Sequence, residues 1–235
     1  MGATTARARA VVLAPATQQE SCDRAPTPTT RFRATFPVAM PHPAFQWFNE
    51  PAAHERPAPD ALAFDVTAKT DYWRRTHYGF TVDDGPFAYV ERGGEFVAEV
   101  CVEADWRARF DQAGLLVRAG PEHWVKCGVE YVGGRVHLSA VATREYSDWS
   151  VTPLDDVPKR LWFRAERRAD ALTVSYSRDG AAWETLRLAY LRPACPVRVG
   201  VYAACPEGEG FPVWFTGFAV GHLPDEGRER WLARG

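Results

Sequence analysis

The sequence predicts an all-β protein, a sandwich or jelly roll built from two antiparallel sheets. From residue 44 onward, turn signals recur about every ten residues, for example DDG at 83–85, VGG at 132–134 and RDG at 178–180. Between them lie short runs rich in Val, Phe, Tyr, Trp and Leu that alternate with polar residues, whereas helical spacing is hard to find. Many short strands at regular spacing are typical of β-sandwiches.

Length, charge and cysteine content exclude several classes of protein. The 235 residues suffice for one large β domain or two small ones. A net charge of −2 gives no electrostatic reason to expect binding to nucleic acid or to an anionic membrane. No apolar run approaches the roughly 18 residues that a membrane-spanning helix requires. The five cysteines are odd in number and match no zinc spacing, which favours free thiols and a cytoplasmic location.

Three segments are predicted along the chain. Residues 1–40 contain APTPTT and show no sustained period, which indicates a disordered N-terminal tail. Residues 41–222 are expected to form the β-sandwich domain, and residues 223–235 a charged C-terminal tail. The start of the chain, MGATTARARAVVLAP, carries arginine and no acid, so a mitochondrial presequence is the alternative to a cytoplasmic location.

One hairpin can be placed in register from the sequence. Two alternating runs in WVKCGVEYVGGRVHLSAVAT are separated by Gly133 and Gly134, which suit the positive φ angles of a type I′ turn. That turn sets Glu130 opposite His137. One face of the hairpin is then wholly apolar, and a slip by one residue would bury the charges of the other. The second face carries Trp124, Lys126, Gly128, Glu130, His137, Ser139 and Thr143.

Other strands show the same division into an apolar and a mixed face. Gln112 and Gly114 lie on one side of DQAGLLVR, and Arg164 lies on the polar side of LWFRAE. We therefore expect a half-solvated sheet whose polar face forms a groove. Three glycines, Gly114, Gly128 and Gly200, are expected to leave space on the floor of that groove.

A cluster of polar and aromatic residues follows the strand VHLSAVA, in TREYSDWS at 143–150. Ser147 and Asp148 could bond to sugar hydroxyls while Trp149 stacks on a pyranose ring. The structural alternative is that Ser147 or Asp148 caps a turn, that Trp149 closes one end of the core, and that Arg144 pairs with Asp148. Another aromatic segment, TDYWRRTHYGF at 70–80, either lines the groove or packs as a lid over the sandwich edge.

The charged residues of the groove have two interpretations. Lys126 and Glu130 form either a solvent-facing ion pair, worth under about 1 kcal/mol, or part of a ligand site. A glycosidase would need two carboxylates at a fixed separation, but the E-x-D-x-x-E strand of glucanases is absent. The sequence contains no catalytic motif, no metal-ligand cluster and no cofactor fingerprint.

Six spaced motifs resemble one known family. They are FQWFNEP (45–51), TDYWRRTHYGF (70–80), FDQAGLLVR (110–118), HWVKCGVE (123–130), LSAVATREYSDWS (138–150) and YSRDGAAW (176–183). Together they look like the regulation-of-enolase family, over about residues 44–220. The resemblance implies a concanavalin A-like jelly-roll sandwich of two antiparallel sheets. It implies function only weakly, because that fold hosts sugar binding, hydrolysis and scaffolding.

The function expected from these observations is non-catalytic binding of a carbohydrate or a similar polyhydroxylated ligand. The first alternative is a regulatory protein whose groove binds a protein partner, and the second is a glycoside-active enzyme. No catalytic residue, metal ligand or cofactor is assigned. The expected ligand-binding residues are Trp73, Arg74, Tyr78, Gln112, Trp124, Lys126, Glu130, His137, Ser139, Thr143, Arg144, Ser147, Asp148, Trp149 and Arg164.

Overall fold

The computed structural model describes residues 44–192 and 196–223, and within these ranges the chain forms strands and no helix. No described helix could therefore cross a membrane. The predicted tails, 1–40 and nearly all of 223–235, lie outside the described residues. The strands are β1 (Gln46–Phe48), β2 (His54–Glu55), β3 (Leu62–Asp65), β4 (Tyr72–Arg74), β5 (Thr81–Asp83), β6 (Phe87–Arg92), β7 (Phe96–Ala104), β8 (Gln112–Gly120), β9 (His123–Val132), β10 (Arg135–Arg144), β11 (Tyr146–Pro153), β12 (Leu161–Arg168), β13 (Ala171–Ser177), β14 (Glu184–Tyr190), β15 (Val197–Ala204) and β16 (Pro212–Gly221).

Two large antiparallel sheets make up the architecture, as the sequence predicts. The first sheet has the order β1-β6-β15-β8-β9-β10-β11, and the second has the order β14-β13-β12-β7-β16-β3-β2. A short hairpin, β4-β5, forms a separate two-stranded sheet. Neighbours in each sheet are often distant in sequence, as in the pairing of β15 with β6 and β8.

The apolar core lies between the two sheets. Leu115 and Val201 reach it from the first sheet, and Phe163 and Phe215 reach it from the second, all almost completely buried. Along β12, buried residues alternate with half-buried ones, which is the period of two seen in the sequence. Burial of each such side chain stabilises the fold by about 1.5–3 kcal/mol.

The predicted register of the β9–β10 hairpin is confirmed. Glu130 pairs with His137, and the pairing continues without a shift to the end of the hairpin. The two-residue loop has φ angles of 59° at Gly133 and 78° at Gly134, as a type I′ turn requires. Local turn chemistry alone therefore fixes which side chains of β9 and β10 share a face.

The outer face of the first sheet is not half-solvated, in contrast to the expectation. The β4–β5 hairpin folds over it, and the fully buried Tyr72 ring packs edge-on against Trp124 and Tyr202, with centroids 6.1 and 5.9 Å away. Lys126 is only 3% exposed and Glu130 is 6% exposed, so the solvent-facing ion pair is wrong. Strand alternation identifies residues that avoid the main core, but it does not show that a distant segment covers them.

The three described cysteines, Cys101, Cys127 and Cys205, are free and buried. Burial raises the pKa of the Cys127 thiol to about 12, and that of Cys205 to about 11 with a contribution from the neighbouring Asp111 carboxylate. Both thiols are therefore protonated and poorly nucleophilic at neutral pH. The Sγ atom of Cys205 also accepts a hydrogen bond from the backbone nitrogen of Gly210 at 3.3 Å, which fixes this thiol within the loop after β15.

Two glycines permit a close approach of β8 and β9 rather than opening a floor. Gly114 is paired directly with Gly128. A Cβ atom on Gly114 would collide with the carbonyl oxygen of Cys127 and with the Cα atom of Gly128. Only a residue without a side chain fits there.

Replacement of Gly114 by alanine is expected to destabilise the fold by about 1–3 kcal/mol, because the added methyl group overpacks the β8–β9 ladder. Urea denaturation of the two purified proteins measures this change. Gly120→Ala is the matched control, since Gly120 also lies on β8 and a Cβ there meets nothing within 4 Å. Equal stabilities of the two variants would contradict the collision.

Candidate functional site

A cavity of about 350 Å³ opens between the β4–β5 hairpin and the outer face of the first sheet. We call it the hairpin pocket. Polar groups lie on its floor and aromatic rings lie on its walls. The lining residues are Asp71, Trp73, Tyr78, Phe80, Phe110, Gln112, Lys126, Glu130, Val141, Trp149, Pro206 and Glu207.

Lys126 forms the centre of the floor. The alternation along β9 points its side chain away from the main core and toward the hairpin. Its Nζ donates to the backbone oxygen of Tyr72 at 2.8 Å and to Oε1 of Gln112 at 2.5 Å. The Oδ1 atom of Asp71 lies 3.8 Å from Nζ of Lys126 and accepts a hydrogen bond from Nε2 of Gln112 at 3.3 Å. A lysine, an amide and a carboxylate from three elements are thereby held in one network.

The electrostatic state of Lys126 reflects two opposing causes. Burial lowers the pKa of its amine, and the carboxylates of Asp71 and Glu130 act in the opposite direction. The rings of Trp124 and Tyr202 add further stabilisation of the cation, with centroids 5.8 and 5.9 Å from Nζ. The amine is a fixed donor at the base of a largely apolar cavity.

Glu130 positions one wall of the pocket. Its Oε2 atom accepts hydrogen bonds from Oγ of Ser139 at 2.6 Å and from Nε1 of Trp149 at 2.9 Å. Ser139 lies on the neighbouring strand β10, and Trp149 lies one strand further, on β11. The carboxylate therefore fixes the orientation of the indole that faces the cavity.

Another wall belongs to β4 and to the loop that joins it to β5. The rings of Tyr78 and Phe80 stack with centroids 5.5 Å apart, and Trp73 meets Tyr78 edge-on at 5.8 Å. Trp73 Nε1 donates to the backbone oxygen of Thr76 at 2.9 Å, which fixes the indole within its own loop. Tyr78, Phe80 and Trp149 remain more than one third exposed, so their ring faces are open to a ligand.

Six of the expected ligand-binding residues line the hairpin pocket, and a seventh supports it. These are Trp73, Tyr78, Gln112, Lys126, Glu130 and Trp149, with Ser139 bonded to Glu130. They come from β4 and its loop, β8, β9, β10 and β11. The structure therefore brings these seven residues together on one face of the sheet, and the sequence did not show that this face is covered.

Four other expected residues hold the hairpin in place instead of facing the cavity. The backbone nitrogen of Arg74 donates to Oγ of Ser147 at 2.9 Å, and Thr143 bonds to the same hydroxyl at 2.9 Å. The Arg74 guanidinium bonds to Glu122 at 2.6 Å. Trp124 is buried under the Tyr72 ring.

The remaining four expected residues lie away from the hairpin pocket. Arg164 is on β12 in the second sheet, where it pairs with Glu99. Its predicted position on the same floor as Lys126 is wrong, because β12 joins the other sheet. His137 bonds to a backbone oxygen near the hairpin turn. Arg144 and Asp148 line a different cavity, and Asp148 pairs with Arg187 at 2.8 Å rather than with Arg144.

Comparison with known protein families assigns this chain to one of them. The model of a protein family of unknown function, DUF1349, matches residues 47–223, three quarters of the sequence. The chain belongs to the DUF1349 family. That assignment covers both sheets, the β4–β5 hairpin and all of the residues that line the hairpin pocket.

Two relatives of this DUF1349 protein come from fungi. Regulation of enolase protein 1 of Saccharomyces cerevisiae is 35% identical over 174 residues, which are 74% of this chain and 87% of that protein. The predicted resemblance to the regulation-of-enolase family is thereby confirmed. The uncharacterized protein AN7484 of Emericella nidulans is 31% identical over 121 residues, which are 48% of this chain and 60% of that protein.

Solved structures agree with the fold. A functionally unknown protein from Saccharomyces cerevisiae superposes with a TM-score of 0.75 at 32% identity, covering 79% of this chain and all of that one. A xylan β-1,4-xylosidase from Bacillus halodurans gives a TM-score of 0.52 at 13% identity. The superposition covers 69% of this chain but only 33% of the xylosidase chain, so the likeness to that enzyme concerns the sandwich fold alone.

The pocket also contains residues that the sequence did not single out as ligand-binding. Asp71, Phe80 and Phe110 belong to the motifs TDYWRRTHYGF and FDQAGLLVR, so the family resemblance gave a signal for them. No motif in the sequence gave a signal for Pro206 or Glu207. They follow β15, and a parallel bridge between Ala68 and Cys205 brings them to the pocket. Within the described ranges no three His, Cys, Asp or Glu side chains are grouped as metal ligands.

Replacement of Lys126 by methionine is expected to lower the free energy of unfolding by about 3–5 kcal/mol, because it leaves buried carboxylates without their counter-charge. Urea denaturation followed by circular dichroism measures the change. Lys159→Met is the control, since Lys159 is 81% exposed and pairs with Glu103 at the surface, where a loss under about 1 kcal/mol is expected. A loss at Lys126 as small as that of the control would contradict the structural role of the buried network.

Proposed function

We propose that the hairpin pocket binds a carbohydrate or a similar polyhydroxylated small molecule without converting it. The observation that carries this proposal is the convergence of open aromatic faces and fixed polar groups in one small cavity. Trp149 and Tyr78 supply rings on different walls, and Lys126, Gln112 and Glu130 supply donors and acceptors between them. Apolar walls with a few placed polar groups are typical of small-molecule sites.

The polar atoms match the needs of a ligand rich in hydroxyl groups. A hydroxyl donates one hydrogen bond and accepts others, so it requires both kinds of partner nearby. Lys126 supplies a donor, and Asp71 and Glu130 supply carboxylate acceptors. The Gln112 carbonyl oxygen can accept a further bond, whereas its two amide hydrogens already bond to Asp71 and to the Phe110 backbone oxygen. Sugar rings also expose C–H groups that stack on an indole such as that of Trp149.

The charges of the pocket favour a neutral ligand over an anionic one. Two carboxylates, from Asp71 and Glu130, share a single ammonium group, from Lys126, while the third carboxylate of the lining, Glu207, pairs with Arg109 at 3.7 Å. Asp71 and Glu130 both act on that ammonium group. A phosphate or uronate ligand would add negative charge to a cavity that already holds an excess of it.

The arrangement of Glu130 supports binding rather than hydrolysis. A glycosidase needs two carboxyl groups that flank the scissile bond, one of them able to give up a proton. Glu130 instead accepts hydrogen bonds from Ser139 and Trp149 through the same oxygen atom, which commits the group to orienting the pocket wall. The third function considered, a glycoside-active enzyme, therefore has less support from the geometry.

Titration of the protein with neutral mono- and disaccharides, followed by calorimetry, tests the binding proposal. Trp149→Ala is expected to weaken saccharide binding at least about tenfold, because it removes the indole ring on which a sugar would stack and the apolar surface that the sugar would bury. Trp214→Ala is the matched control, since Trp214 is similarly exposed but lies on β16 of the second sheet. Equal effects of the two substitutions, or no saccharide binding by the unaltered protein, would overturn the proposal.

We also propose, as a second function, that the protein regulates an enolase. This proposal is supported by the 35% identity to Regulation of enolase protein 1 over 87% of that protein. A regulator of a glycolytic enzyme would work in the cytoplasm. The two functions are compatible if occupancy of the hairpin pocket alters the regulatory activity.

The regulatory proposal is tested with purified enolase from the same organism. Addition of this protein is expected to change the turnover rate of the enolase or its amount in cells, and deletion of the gene should reverse the second effect. Serum albumin at the same concentration controls for protein crowding. An enolase whose activity and abundance do not respond would rule out this function, and saccharide binding would stand or fall separately.

A further inference from the structure

A second cavity, of about 690 Å³, lies between the two sheets at one end of the sandwich. We call it the edge cleft. The edge strand β11 of the first sheet and the edge strand β14 of the second sheet border it. Arg187 on β14 joins the two edges, because its guanidinium donates to Oδ2 of Asp148 at 2.8 Å and to Oγ of Ser150 at 2.6 Å.

Two arginines in the edge cleft have no acidic partner among the residues that the structure describes. Arg144 and Arg192 line the cavity and are exposed, and neither takes part in an ion pair within the described ranges. Many other arginines of this chain are paired, as Arg118 is with Asp83. The Arg144 guanidinium lies over the ring of Tyr190, with its central carbon 4.7 Å from the ring centroid, and is thereby held toward the cavity.

The carboxylates of the cleft cancel only part of this charge. Glu122 is bonded to Arg74 behind the hairpin, and Asp148 is bonded to Arg187. Glu145 is the remaining acid of the lining. Unpaired guanidinium groups therefore outnumber unpaired carboxylates in the edge cleft, which is the reverse of the charge balance in the hairpin pocket.

His123 lies close enough to Arg144 and Arg192 to be affected by their positive charges. Its ring stacks on Tyr190 with an interplanar angle of 12° and a centroid distance of 5.5 Å. Burial lowers the pKa of His123, and the charges of Arg144 and Arg192 lower it further, against a hydrogen bond to the Tyr190 carbonyl that raises it. The imidazole is neutral at neutral pH, and an anion bound beside it would favour its protonation.

We propose that the edge cleft binds a phosphomonoester, with Arg144 and Arg192 as the groups that hold the phosphate. Guanidinium groups form paired hydrogen bonds to phosphate oxygens, and two unpaired ones beside a single cavity suit a doubly charged group. The exposed side chains of Tyr146 and Leu188, together with the Tyr190 ring, offer an apolar wall for the organic part of such an ester. This site is separate from the hairpin pocket and does not depend on the function proposed there.

The test uses the full chain and three probes: phenyl phosphate, inorganic phosphate and phenol. Calorimetry is expected to show binding of phenyl phosphate, weaker binding of inorganic phosphate and no binding of phenol, because the anionic group provides the recognition. Affinity should fall about tenfold for each arginine removed in Arg144→Gln and Arg192→Gln. Arg160→Gln, which removes an exposed arginine immediately before β12, should leave affinity unchanged.

A second measurement separates specific binding from a general attraction of anions to the protein. NMR titration of the His123 ring should show that phenyl phosphate raises its pKa in the unaltered protein and fails to do so in the double arginine variant. Full affinity in the double variant, an equal loss in Arg160→Gln, or equal binding of phenol would overturn the proposal. So would an acidic peptide without phosphate that binds while phenyl phosphate does not.

Discussion

The buried ammonium group of Lys126 makes the interactions on which the covered outer face of the first sheet depends. It donates to the backbone of Tyr72 in the hairpin and to Gln112 in the sheet, and it lies near Asp71. Isolated buried charges are strongly unfavourable, so the lysine is stable only while the hairpin remains docked. The same group that fastens the hairpin also faces the cavity that the hairpin creates. Docking of the β4–β5 hairpin and formation of the hairpin pocket are therefore one event.

Aromatic packing reinforces this electrostatic attachment. Tyr72, Trp124 and Tyr202 belong to a second apolar cluster, separate from the core between the sheets. The Tyr72 hydroxyl donates to the backbone oxygen of Gly85 at 2.5 Å, and burial raises the pKa of that hydroxyl well above its ordinary value. A hydroxyl held neutral remains a donor throughout the physiological range. The first sheet thus has a packed layer on each face, and the hairpin pocket is an opening in the outer layer.

Sequence reasoning succeeded where local chemistry decides the structure and failed where long-range pairing does. Gly133 and Gly134 set the β9–β10 register, and that register correctly placed Lys126, Glu130 and Ser139 on one face. No local signal shows which sheet a strand joins, so Arg164 was assigned to the wrong one. Solvation of the outer face was also misjudged, because the alternation of a strand is the same whether water or a second segment lies above it. The family motifs, in contrast, marked the covering segment 70–80 without showing where it packs.

The sequence of β11 follows from the position of this strand between the two cavities. Successive side chains on a strand point to opposite faces, so Trp149 faces the hairpin pocket while its neighbour Asp148 lines the edge cleft. An edge strand with exposed apolar residues invites pairing with other chains. Here the Arg187 side chain reaches the backbone oxygen of Asp148 from the second sheet, which occupies part of that edge. The mixture of aromatic and acidic residues in β11 therefore reflects two cavities of opposite charge balance that share one strand, rather than a single composite cavity.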